Sequence, residues 1–252
     1  IGDKAFIFSN ILLKINVSPN NNYFSSMDGV LYNKDQSILI SFPSFESGVF
    51  EVPSGVKQIA NYAFAYSPYM DTIVLPDGLT HIGHGAFTNC NSLYNINIPN
   101  TVEYIGDAAF AISYSLENII IDGDLEYLGN SVFERCDSLT TIRLPDHILF
   151  IGDSAFKYCS ELEEIEIPHG ITTIHKETFY GCRSLRTIIL PDGIERIEDR
   201  AFLACKSLSS IDIPDTVTHF GIGCFAICES LSSINIPDGV TAINNDSFSD
   251  CT

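Results

Sequence analysis

The chain has 252 residues, 45% of them apolar and 18% charged, which is the profile of a packed chain and not of a disordered one. Thirteen basic residues against 32 acidic ones give a net charge of -19, which repels phosphate backbones and excludes nucleic acid as an expected partner. No apolar run approaches the roughly 18–20 residues of a membrane helix, so direct membrane insertion is not expected in this segment.

In chain order, the first signal is a fragment. Ile1-Gly2-Asp3-Lys4-Ala5-Phe6 matches the end of a unit that recurs further on, and Leu12, Ile15 and Val17 keep the phase of that unit. Residues at about 18–46 exceed the period. Two apolar runs there, Gly29 to Tyr32 and Ser37 to Phe42, flank Asn33-Lys34-Asp35-Gln36 and predict a β-hairpin inserted into the first coils. The phase resumes with Phe50, Val52, Pro53, Gly55, Val56 and Ile59.

From there the sequence is periodic. Phe stands at 64, 87, 110, 133, 156, 179, 202, 225 and 248, always 23 residues apart. Leu follows six places on, from Leu93 to Leu231, and Ile nine places on, from Ile73 to Ile234. The unit reads F-x-x-C-x-S-L-x-x-I-x-I-P-D-G-V-x-x-I-G-D-x-A. A fixed period of this size means stacked units, each unable to bury its apolar face alone.

Every part of the unit has a physical reading. L-x-x-I-x-I predicts a short strand with its Ile pair inward. Pro-Asp-Gly turns the chain, because Pro has no donor for a continuing strand and Gly accepts positive φ. V-x-x-I predicts a second extended piece, and G-D-x-A-F a corner built as one tight helical turn. Equivalent strands of successive coils then lie in parallel about 4.8 Å apart. The expected fold is a mainly β repeat solenoid, a right-handed leucine-rich-repeat-type superhelix with short parallel strands. Residues 1–252 read as one solenoid domain. Phe248-Ser249-Asp250-Cys251-Thr252 opens a unit that does not finish, so both ends are expected to be truncations of a longer protein.

Seven of the eight Cys (90, 136, 159, 182, 205, 228 and 251) stand three places after a repeat Phe, and Cys224 stands just before Phe225. Ser67 and Ser113 take the first of these places elsewhere. That common, size-limited position favours a column of buried thiols over disulfides between adjacent coils. No C-x-x-C pair is present, and Asp122-Gly123-Asp124 brings too few oxygens for calcium, so it reads as a turn. His81-Ile82-Gly83-His84 is the repeat's own Ile-Gly between two histidines. No catalytic, metal or cofactor-binding residues stand out from the repeat background.

The residues Leu, Ile, Ile, Pro-Asp-Gly-Val, Ile-Gly-Asp and Ala-Phe-x-x-Cys, in this order and over nearly the whole chain, resemble the BspA-like leucine-rich repeat family of surface proteins from bacteria and parasitic protozoa. The stretch Asn22-Tyr23 and Ser26 to Asp35 is similar to an insertion common in that family. The resemblance implies secretion or surface display and binding to host or neighbouring-cell molecules.

The expected function is therefore a non-catalytic extracellular or cell-surface recognition or adhesion module that binds a protein or glycan. The alternative is a structural spacer in a larger surface protein. Two surfaces are candidates. Between the Val-type and Ile-type core places, Tyr104, Tyr127 and Phe150 occupy one column in successive coils, widened by Leu149, and predict an apolar strip suited to a partner or to self-association. The rival is the more polar strand face, with Tyr94, Asn95, Asn97, Arg143, Glu164, Glu166 and Arg186.

Overall fold

The computed structural model describes residues 1–9, 11–43 and 47–251. Residues 44–46, the far end of the expected insertion, and Thr252 lie outside them.

The chain winds as a β-solenoid. Its strands are β1 (Phe24–Met27), β2 (Val30–Asn33), β3 (Ile38–Ser41), β4 (Gly48–Glu51), β5 (Gln58–Ile59), β6 (Met70–Val74), β7 (His81–Ile82), β8 (Asn95–Ile98) and β9 (Tyr104–Ile105). They continue with β10 (Asn118–Ile121), β11 (Tyr127–Leu128), β12 (Phe150–Ile151), β13 (Glu164–Glu166), β14 (Thr173–Ile174), β15 (Thr187–Ile189), β16 (Arg196–Ile197) and β17 (His219–Phe220). The L-x-x-I-x-I segments form β4, β6, β8 and β10, then β13 and β15; the V-x-x-I segments form β5, β7, β9, β11 and β12, then β14, β16 and β17. From β4 onward every pairing is parallel, and the usual register joins residues one period apart, as in Ile96↔Ile119 and Tyr104↔Tyr127. Side chains alternate as a half-buried strand requires: Ile96 and Ile98 are buried, Asn95 and Asn97 exposed.

The core is a set of columns. The Phe rings from 64 to 225 are fully buried, and from Phe64 to Phe248 each stacks on the next at 5.1–5.6 Å with planes within 19°.

The corner before each Phe is not the helical turn expected from sequence; among the described residues there is no helix. Local bonds such as Thr88 N–H to Gly85 O, 3.0 Å, alternate with bonds to the next coil, such as Phe87 N–H to Ala109 O, 2.7 Å. The alternation requires a left-handed residue twice per corner, for example Ala108 (φ 54°) and Ile112 (φ 62°), or Ser131 (φ 53°) and Arg135 (φ 60°). Each left-handed residue costs about 1–2 kcal/mol and interrupts any right-handed helix. The bonds between coils offset that strain.

The Gly-Asp of the corner has two separate reasons. An added Cβ on Gly106, Gly129 or Gly152 would stand 2.6–2.8 Å from a backbone nitrogen of the preceding coil, so only glycine permits that approach. The eight-stranded sheet ends at β12, at the coil where His175 takes this place, although Glu198 takes it one coil on and β14 still pairs there with β16. The Asp side chain joins a ladder: Asp107 Oδ1 accepts the Asn130 N–H at 2.8 Å, Asn130 Oδ1 that of Asp153 at 2.9 Å, and Asp153 Oδ1 that of Lys176 at 3.1 Å.

The insertion contains the expected hairpin, β2 against β3, antiparallel. It also contains a strand the sequence did not reveal, β1, paired antiparallel with β2. The meander is built into the solenoid, because β3 pairs in parallel with β5 through Leu39↔Ile59. Phe42 supplies the rung before Phe64, stacked on it at 5.0 Å, with its N–H bonded to Ala63 O at 2.8 Å. Leu12, Ile15 and Val17 are the half-buried residues of their segment, as their phase requires, but they form no strand. The Ile15 N–H bonds instead to Gly29 O at 2.8 Å, in the turn between β1 and β2.

The thiol column exists, and its chemistry is more specific than size. Cys90 Sγ donates to Phe64 O at 3.2 Å, and Cys136, Cys159, Cys182, Cys205, Cys228 and Cys251 repeat the contact one coil at a time. Ser113 Oγ makes the same bond to Phe87 O at 3.0 Å. From Cys90 onward the place therefore holds a small side chain with a donor, Ser or Cys, whereas the buried Ser67 hydroxyl at the first such place makes no hydrogen bond. Burial pushes the Cys90 thiol up to about 12 and raises its column neighbours likewise, so reactive thiolate is scarce at neutral pH. In native protein a thiol reagent should react slowly, at half-buried Cys251 first, and with all eight Cys after denaturation. Fewer than eight reactive thiols in unfolded, unreduced protein would show that some are bridged.

Candidate functional site: a column of stacked rings

The two residues between the inward Val-type and Ile-type places both face outward. In β9, β11 and β12 the second of them is aromatic, and parallel register sets Tyr104 against Tyr127 and Tyr127 against Phe150. The rings stack in step: 5.1 Å and 7° between Tyr104 and Tyr127, 4.9 Å and 5° between Tyr127 and Phe150. His81 closes one end at 5.9 Å. At the other end the ring on Phe150 is His175, 4.9 Å away, and not the Thr173 that shares its column. Nothing in the sequence pointed to His175, which lies two places beyond Thr173, just past inward-facing Ile174.

Stacking in step decides what the strip offers. Each ring covers its neighbour's face, so the rings are half-buried while their edges and the tyrosine hydroxyls meet solvent. Leu149, 64% exposed, extends the apolar surface towards the next coil and lies over Gly170, where an added Cβ would stand 3.2 Å from Leu149 Cδ2.

Charge borders the strip on both sides. Exposed Glu103 and Glu126 precede the two tyrosines; Asp107, Asn130 and Asp153 of the corner ladder follow. Burial, then neighbouring Tyr127 and Asp107, hold the Tyr104 hydroxyl above its ordinary pKa; burial and Asp107 do the same to Tyr127. His84 ties the tyrosine end to this border: its Nδ1 accepts the Asp107 N–H at 3.0 Å, and its Nε2 stands 3.4 Å from the Tyr104 hydroxyl. His175 Nδ1 lies 3.8 Å from Asp153 Oδ1.

The strand-face residues are spread over several successive coils. Arg143, Glu164 and Glu166 line an open hollow of about 490 Å3 with His169 and Ile189. Tyr94, Asn95 and Asn97 are exposed on and beside β8, outside that hollow, with Glu117 holding the Tyr94 hydroxyl up. Arg186 is exposed just before β15. No group of three His, Cys, Asp or Glu among the described residues could hold a metal ion, and no helix there is long and apolar enough to cross a membrane.

Stacked parallel coils with an inward Leu and Ile set define a leucine-rich-repeat type solenoid. The sequence profile of the BspA type leucine rich repeat region (6 copies) matches residues 40–163 and 150–252, and the chain belongs to that family. Among solved structures it is similar to a leucine-rich repeat protein from Eubacterium ventriosum, with 28% identity and a TM-score of 0.65 over 94% of this chain and 57% of that one. It is also similar to the leucine-rich repeat protein of T. pallidum, with 25% identity and a TM-score of 0.64 over 85% of this chain and 90% of that one. A third similarity is to a leucine rich cell surface protein from Faecalibacterium prausnitzii, with 26% identity and a TM-score of 0.55 over 86% and 55% of the two chains. The chain thus spans little more than half of the E. ventriosum protein. Comparison with curated proteins gave no match.

Proposed function

We propose that this chain is a non-catalytic recognition module of a secreted or surface-displayed protein, and that it contacts a protein or glycan partner through the strip of Tyr104, Tyr127, Leu149 and Phe150. The observation that carries this reading is the in-step ring column on an outer face, widened by exposed Leu149. Aromatic side chains are frequent anchors of binding surfaces, and contiguous exposed apolar patches on soluble proteins mark partner sites. Family membership and the F. prausnitzii neighbour's description as a cell surface protein support the location.

The test is the triple variant Tyr104→Ser, Tyr127→Ser, Phe150→Ser, screened beside the native chain against immobilised matrix proteins and a glycan array. The lost stacking is worth about 0.5–1.5 kcal/mol per ring pair, so the variant should fold and keep its circular dichroism while its binding falls at least tenfold. Unchanged binding by the folded variant would move the site to the strand face around Arg143 and Glu166. A native chain that binds nothing would favour the spacer role.

A further inference from the structure

The partner's chemistry can be narrowed, on the reading that the ring strip is the contact surface. Residues 58–134, rather more than three successive coils that include Tyr104 and Tyr127, carry nine Asp and Glu and no Lys or Arg at all. The strip is therefore electronegative along most of its length. Its carboxylates stand in two rows, Glu103 and Glu126 before the rings, Asp107 and Asp153 after them. Lys176, one coil past Phe150, is engaged with Asp199 at 3.2 Å. A second copy of this chain is a poor occupant, since strip against strip would set carboxylates against carboxylates.

The rings themselves argue against a glycan. A sugar packs its C–H face on an open aromatic face, and here each face is covered by the next ring at about 5 Å, with His81 and His175 over the ends. What remains is a row of apolar edges between two acidic rows. We infer that the strip takes a cationic protein segment, extended along the column, with apolar side chains across the ring edges and Lys or Arg against Glu103, Glu126, Asp107 and Asp153. The column from His81 to His175 is roughly 20 Å long, which an extended strand covers in about six residues.

Three nine-residue peptides serve as probes: alternating Val and Lys, alternating Val and Ser, and alternating Val and Glu, titrated calorimetrically against the native chain, Glu103→Gln/Glu126→Gln, and the triple serine variant. The Val–Lys peptide should bind the native chain at least tenfold more tightly than the other two. It should lose at least fivefold on Glu103→Gln/Glu126→Gln and at least as much on the serine variant, and it should weaken as salt is raised. No binding of the Val–Lys peptide, equal binding of the Val–Ser peptide, or Val–Lys binding that all three proteins share would overturn the cationic partner. The partner found by the screen separates the two readings. If its binding falls in the serine variant but not in Glu103→Gln/Glu126→Gln, recognition by the strip stands and the cationic partner does not; if neither variant affects it, both fall.

Discussion

Phe156→Ala is expected to destabilise the protein by about 3–5 kcal/mol, and Phe248→Ala by less than half of that. Phe156 is fully buried and stacked on both sides, on Phe133 and Phe179 at 5.5 Å each. Phe248 is half-buried, and of the Phe column only Phe225 stacks on it, at 5.6 Å. Because each coil contacts only its neighbours, a hole in the middle loosens two interfaces and a hole at the last described rung loosens one. Denaturant melts of the two variants give the comparison directly. Equal losses would mean that the array does not behave as a nearest-neighbour stack.

Gly123→Ala should be nearly as damaging, and Gly78→Ala provides its control. Both glycines have positive φ, 96° and 89°, so alanine at either place incurs about 1–2 kcal/mol of backbone strain. They differ in what the new methyl group meets. At Gly78 it meets the end of the flexible Lys57 side chain, which can swing aside. At Gly123 it meets the Asn100 carbonyl oxygen and stands 2.6 Å from its carbon, so one coil must move away from the next. Overpacking of that kind adds about 1–3 kcal/mol, for a total of about 2–5 kcal/mol against 1–2 at Gly78. Similar losses in thermal or denaturant melts would show that the coils can part at this point without penalty. Asp122-Gly123-Asp124 departs from the usual Pro-Asp-Gly, and its glycine has a structural reason: the turn lies directly on the Asn100 backbone, whose carbonyl accepts the Asp124 N–H at 3.3 Å.

The period was legible because one large residue, Phe, occurs at a fixed spacing and has only one place to go. The corners were not legible, because their left-handed positions are occupied by Tyr62, Ala108, Ser131, Glu177 and Arg200, side chains that do not signal positive φ. Among the inserted strands, Val30–Asn33 and Ile38–Ser41 are carried by apolar residues, whereas Phe24–Met27 reads Phe-Ser-Ser-Met and is held by pairing, by the hydrogen bonds of its two serines and by Met27 against the core. The Cys column was legible as a phase but not as a hydrogen-bond ladder, since its acceptors, the Phe carbonyls, lie 26 residues back. The ring strip could be read from its column. Its closure by His175 could not, because that ring enters from a neighbouring column.

The bonds that hold coil to coil also set how the chain finds its fold. Those between repeats join residues 22–26 apart, such as Phe87 to Ala109 and Cys90 to Phe64, a separation of about one tenth of the chain. Sandwiches and barrels built of strands have relative contact orders of about 0.16–0.22, and helical bundles about 0.07–0.12. By that measure a molecule whose regular elements are all strands has the search problem of a bundle. Closing one coil needs only the coil beside it, so folding can start at any rung and spread in both directions, without waiting for the ends of the chain to meet.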